Sequence, residues 1–230
     1  MGGLYYYGFD SLYLYLVVPA IIIALWSQIK VKTTFSKYSA YRTDISGADA
    51  ARRVLEQNGV RGVRIERVSG KLTDHYDPRT NTIRLSDSVC DSYSISAVGV
   101  AAHEAGHAVQ YAKGYFPIKL RSVILPVCNL GSQLSLPLLI IGLIFNFYFL
   151  VKLGVVFFCG ALLFQLVTLP VEFNASRRAV TALKDGAVLL TDNDIKYAKK
   201  VLSAAAMTYV AAALVSLAQL IRLIAITGKK

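Results

Sequence analysis

The sequence predicts an α+β protein, a multi-pass α-helical membrane protein with a small cytoplasmic domain, and three observations carry that prediction. Apolar residues make up 55 % of the 230-residue chain and the mean hydropathy is positive, too apolar for one or two soluble domains. They are clumped into stretches that reach the roughly 20 residues a helix needs to cross a bilayer core. Between the stretches lie polar segments with helical and strand periodicity, and one of them, residues 100–111 (VAAHEAGHAVQY), contains an H-E-x-x-H.

The first apolar stretch is 12–29, LYLYLVVPAIIIALWSQI. Tyr5, Tyr6 and Tyr7 on one side and Trp26 on the other resemble an interfacial aromatic belt. No Lys or Arg precedes it and no small-residue cleavage site follows it, so it reads as a retained anchor rather than a signal peptide. A basic, aromatic segment (30–41) comes next. Thr43 to Ser46 then offer caps for an amphipathic helix over 47–58, GADAARRVLEQN, with Ala51, Val54 and Leu55 on its apolar side and Gly59 closing it.

Residues 63–68, VRIERV, alternate as a half-buried strand does, and 82–85, TIRL, follow a turn built on Asp77, Pro78 and Asn81. The loop 70–78, GKLTDHYDP, holds His75. Residues 94–113 form the long helix that carries the H-E-x-x-H. Residues 123–169 contain a single charge, Lys152, and suit a hairpin of two spans turning near Asn146. Asn129, Ser132 and Gln133, with Pro126 and Pro137, predict that the first of these spans faces the bundle interior. Pro170 is placed to start a further helix, and 201–226, with Gln219 and Arg222, is the fourth span.

The expected organisation is therefore an anchor (1–29), a cytoplasmic domain (30–121), a transmembrane hairpin (122–169), a second cytoplasmic segment (170–200) and a C-terminal span with its tail (201–230). The net charge of +11 is distributed to match, with fifteen Lys and Arg between Lys30 and Arg121, six between Pro170 and Lys200, and none in the first ten residues. By the positive-inside rule both basic segments face the cytoplasm and the N-terminus faces out. The charges flank spans instead of forming one stripe interleaved with aromatics, which argues against nucleic acid as a partner. Anionic headgroups of the lipid bilayer are the expected partner. Cys90, Cys128 and Cys159 offer no disulfide framework, in keeping with a reducing compartment.

The chemistry centres on His103, Glu104 and His107. Residues four apart share a helix face, so both imidazoles can reach one Zn²⁺ while Glu104 acts on water beside it. With three His and four Glu in the chain, chance would produce the motif on the order of once per thousand such chains. A catalytic zinc usually takes three protein ligands. The extended form H-E-x-x-H-x-x-G-x-x-H fails, because Gln110 and Lys113 stand where its Gly and third His would be. No histidine follows His107, and Glu172 is the only glutamate after Glu104. Two spans separate it from His107, which returns it to the same side of the membrane. Asp185, Asp192 and Asp194 are the rival ligands, in stretches that read as turns and caps.

AAHEAGHAVQ, LTDHYDP, the RLS that follows, and VEFNASRRA together resemble the YugP-type family of membrane-bound neutral zinc metallopeptidases, over about residues 38–222. The chain is more distantly similar to the HtpX-type membrane proteases, whose third ligand is a Glu opening an E-x-x-A-D stretch. Here that stretch reads Glu172-Phe173-Asn174-Ala175-Ser176, with Ser176 in place of the Asp that orients a zinc-binding histidine in those enzymes. Ser176, Asn174 and Asp74 are the candidates for that orienting role. The resemblance implies a bacterial membrane protease and completes the fold class, with a zincin-like, gluzincin-type catalytic domain.

The chemistry expected is zinc-assisted hydrolysis of peptide bonds in membrane-associated proteins or peptides, with Glu104 as general base. His75, Tyr76 or Arg177 could stabilise the oxyanion. Two other classes compete. A non-catalytic scaffold with structural zinc would have no use for Glu104. A transporter would be expected to place carboxylates in its spans, and these have none.

Overall fold

A computed structural model of the chain describes residues 10–186, 188 and 190–227. The tyrosines at 5–7 and the last three residues lie outside them. Among the described residues there are six α-helices and three strands. A π-helical turn (Tyr13–Val17) leads into α1 (Val18–Ser39). It is followed by α2 (Gly47–Gln57), β1 (Arg64–Val68), β2 (His75–Asp77), β3 (Thr82–Ser86), α3 (Ile95–Ala112), α4 (Phe116–Ile144), α5 (Tyr148–Lys184) and α6 (Asp192–Thr227). The helices containing the four apolar stretches are long and apolar enough to cross a membrane. The strands form a small mixed sheet in the order β1-β3-β2, β1 parallel and β2 antiparallel to β3.

The chain divides into two compact units, each made of separated segments. The first comprises Met1–Gln28, Leu120–Leu169 and Thr208–Lys230. Its hairpin turns at Asn146, whose φ of 50° suits asparagine. Close packing of α4 on α5 relies on small residues, since a Cβ at Gly154 would meet the Leu139 side chain at 2.8 Å, and Ser135 donates its hydroxyl to the Gly154 carbonyl at 2.9 Å. That choice of face overturns the expectation for Asn129, Ser132 and Gln133. They are exposed, and the buried row is Gly131, Ser135 and Leu139, where Ser135 and Leu139 pack directly on Gly154 of α5.

Arg222 is buried in the same unit, where a lone charge would be costly. Its Nε donates to Asp10 Oδ2 at 2.9 Å and its guanidinium lies 5.0 Å from the centre of the Tyr13 ring. The carboxylate that neutralises it thus sits just before the first apolar stretch.

The second unit comprises Ile29–Lys119 and Pro170–Met207. Ser46 caps α2 by accepting from the Asp49 amide, and Ser94 caps α3 by accepting from the Ala97 amide. Ala51, Val54 and Leu55 are buried against α3, and Ile83 and Leu85 of the central strand are wholly buried. Two details differ from the sequence reading. His75–Asp77 is a short edge strand rather than loop, recruited by pairing with Thr82–Arg84 of β3. Pro170 does not begin a helix but lies inside α5. A proline there forfeits one helical hydrogen bond, but Val171, Ala175, Ala179 and Leu183 beyond it are buried at four-residue spacing, and this packing carries the helix on.

Candidate metal centre

Two helices build the site. α3 supplies His103, Glu104 and His107 from a length that is almost wholly buried, and α5 supplies Glu172. Their approach depends on Gly106, inside the motif itself. A Cβ there would meet the backbone carbonyl oxygen of Ala175 at 2.7 Å, so no other residue lets the two helix backbones come so close.

His103 Nε2 lies 3.2 Å and His107 Nε2 3.6 Å from one Glu172 oxygen. All three candidate ligand atoms fall within 4.8 Å of one another. Two ligands about 2.1 Å from a tetrahedral ion stand about 3.4 Å apart, so the spacing fits zinc. Nitrogen, nitrogen and oxygen donors suit zinc or another borderline divalent ion.

Each imidazole is also held from behind. His103 Nδ1 is 3.1 Å from Ser176 Oγ, and His107 Nδ1 is 3.1 Å from Gln110 Oε1. The second contact has its direction set by a chain of donors. Arg178, which can only donate, gives Nε–H to Asn174 Oδ1 at 2.8 Å. Gln110 Nε2 donates to the same oxygen at 3.0 Å and to the Val171 carbonyl at 2.8 Å. That leaves Gln110 Oε1 to accept from His107, so Nδ1 carries the proton and the Nε2 lone pair points to the ligand set.

Glu104 is 8 % exposed. Burial, foremost, pushes its carboxyl up to about 7, with the charges of Glu172 and Asp74 adding to the rise and His103 and His75 opposing it. Its carboxylate accepts no hydrogen bond among the described residues, which leaves it available to take a proton. A cation held by the three ligands would lower this value again.

The remaining candidates are placed as follows. Asp74 does not touch an imidazole; its carboxylate accepts from the amide and hydroxyl of Ser86 at 2.7 and 3.0 Å, and burial raises its pKa. His75 is exposed on β2 and holds its Nδ1 2.9 Å from the Thr73 carbonyl, outside the three-ligand set but close enough to Glu104 to affect its charge. Tyr76 donates its hydroxyl to Asn81 at 2.8 Å, and burial raises its pKa to about 12. Arg177 is exposed, whereas its neighbour Arg178 anchors the hydrogen-bond chain. Asn174 reaches the site through Gln110, and Ser176 reaches it directly. Gln110 was visible in the sequence only as a failed match to a longer motif. The usable signal was a lone amide three residues after His107 on an apolar helix.

No solved structure matches the chain. It is 45 % identical over 217 residues, 94 % of this chain and 96 % of the relative, to the "Putative membrane protease YugP" of Bacillus subtilis (strain 168). The model of the family described as "Putative neutral zinc metallopeptidase" matches residues 13–228. With that match spanning nearly its whole length, and with two histidines and a glutamate gathered at ligand distance, the chain belongs to this zinc metallopeptidase family.

Proposed function

We propose that the chain is a zinc-dependent metalloendopeptidase of the cell membrane, cleaving membrane-associated proteins or peptides at the cytoplasmic face. The observation that carries this reading is the convergence of His103, His107 and Glu172 beside a buried carboxylate, Glu104, that accepts no hydrogen bond among the described residues. A purely structural metal site has no use for such a base. The three ligands would hold Zn²⁺, which when bound supplies Lewis-acid polarisation of the scissile carbonyl and acidifies water. Glu104 takes the proton of the attacking water and passes it to the leaving amide nitrogen, work typically worth about 10²–10⁴-fold.

Ser176 and Gln110 keep the imidazoles in the ligating tautomer. The β2 strand, at an edge of the sheet beside α3, offers backbone groups along which an extended peptide can lie whatever its side chains. His75, at the start of that strand, is the group best placed to meet the oxyanion. The cytoplasmic assignment rests on the basic segments that contain the site, and it sets the N-terminus outside.

The test is zinc content together with cleavage of casein and a model membrane protein by the detergent-purified chain. Wild type should bind one zinc and cleave, Glu104→Gln should keep zinc and lose cleavage, and Glu172→Ala should lose both. Zinc binding with identical behaviour of wild type and Glu104→Gln in every assay would replace the enzyme by a scaffold.

A further inference from the structure

Away from the candidate metal centre, α1 and α6 flank an open cleft of about 590 Å³, within the range of small-ligand sites. Five lysines line it, Lys30 and Lys37 from α1 and Lys196, Lys199 and Lys200 from α6, and no carboxylate does. Lys37, Lys196, Lys199 and Lys200 thus set like charges around one space, and an anion among them relieves their repulsion.

The floor is built to hold them. Tyr38, 5 % exposed, stacks on Tyr197 with ring centres 4.8 Å apart. Lys37 and Lys200 place their ammonium groups 5.7 and 6.0 Å from the centre of the Tyr38 ring. These cation–π contacts keep both charges at the cleft.

Its position in the sequence gives the level. The apolar stretch 12–29 ends at Lys30, and the apolar stretch 201–226 begins after Lys200, so the cleft lies where both helices leave the hydrocarbon. Its lining changes in the same direction. Ala204 and Met207 lie toward the apolar part of α6, and Lys196 lies toward its polar end. A phosphate with an acyl chain matches that gradient, whereas a free phosphate would leave the apolar end without a partner. We propose that this cleft binds the headgroup phosphate of an anionic glycerophospholipid, with the start of an acyl chain along the exposed Met207, beside the buried Ala204.

The experiment uses the full chain in neutral detergent, titrated with phosphatidylglycerol or phosphatidylcholine and read by native mass spectrometry. Phosphatidylglycerol should be retained over phosphatidylcholine. At about fivefold per lysine near a membrane surface, Lys37→Ala, Lys196→Ala and Lys200→Ala together should weaken it about 100-fold.

The corresponding triple arginine variant should bind as wild type and keeps the test informative if the alanine variant misfolds. Lys71→Ala, Arg79→Ala and Lys119→Ala together, outside the cleft, should change binding less than threefold. Equal binding by wild type and the alanine variant overturns the proposal, as does an equal loss in the outside variant, which would mean diffuse charge. Glycerophosphate competing at the lipid's own affinity would make this a free-anion site, and displacement of lipid by an acidic peptide would make it a peptide site; either result also overturns it.

Discussion

Replacing Gln110 by alanine removes the acceptor that holds the proton of His107 on Nδ1, and it cuts the donor link to Val171 and Asn174 on α5. Gln110 is wholly buried, so water does not substitute. Loss of a partner that orients a metal-binding imidazole typically costs 10–100-fold in metal affinity, or about 1.4–2.7 kcal/mol. The three severed hydrogen bonds cost about 1 kcal/mol each in stability, a separate effect that must be measured separately.

Zinc affinity is read by competition with a chelator of known strength, and the tautomer by nitrogen NMR of the metal-free, histidine-labelled chain. Wild type should show His107 protonated at Nδ1, and Gln110→Ala should show a tautomer mixture with zinc bound at least tenfold more weakly. Arg178→Met, which leaves every metal-site contact in place but removes the obligate donor, should shift the tautomer balance the same way by less. A Gln110→Ala protein that folds, melts at a lower temperature and binds zinc within threefold of wild type would refute the reasoning, since the amide would then only pack.

Glu104 binds a proton in the metal-free fold that the unfolded chain releases between its ordinary value of 4.5 and about 7. The stability this contributes is present below pH 4.5 and is lost as pH rises toward 7, at roughly 3 kcal/mol for the whole displacement. Glu104→Gln should therefore raise the melting temperature of the metal-free chain at pH 8 and leave it nearly unchanged at pH 4.5; no difference at pH 8 would count against a buried carboxyl. Gly106→Ala should force α3 from α5 and destabilise by about 1–3 kcal/mol, with zinc affinity falling in the same protein; an unchanged melting temperature and zinc affinity would mean that the helices do not touch there. Asp10→Asn or Arg222→Gln alone should each weaken resistance to denaturing detergent, and the double variant should lose much less than the sum; additive losses would show that the two do not interact.

What could be read from the sequence followed from strong periodicity and rare residue types. Four apolar stretches of about 20 residues or more gave helices because a single apolar segment of that length satisfies its own backbone only as a helix. The strands at 64–68 and 82–86 and the helix after Ser46 carried alternation and caps. Chain order and the scarcity of glutamate pointed to Glu172, which lies within 3.2 Å of His103. What escaped depended on tertiary choice. Three residues of β2 are too few to show a period, and continuation of α5 through Pro170 rests on a seam of buried apolar residues. The outward turn of Asn129, Ser132 and Gln133 was decided by which row of α4 packs on α5. The donor chain from Arg178 through Asn174 to Gln110 joins residues on two helices that no spacing rule connects, and Asp10 finds Arg222 across 212 positions.

The split of the ligand set between α3 and α5 has a consequence for the growing polypeptide. Glu172 follows His103 by 69 residues, and those residues include the whole hairpin. A ribosome that has released α3 has made two of the three ligands, both on one helix. On the proposed topology, the third arrives only after the hairpin has entered the bilayer and returned. Completion of the ligand set would, on that topology, report successful insertion, and a chain stalled in the translocation machinery would carry an incomplete set while its neighbours are still the proteins that are building it.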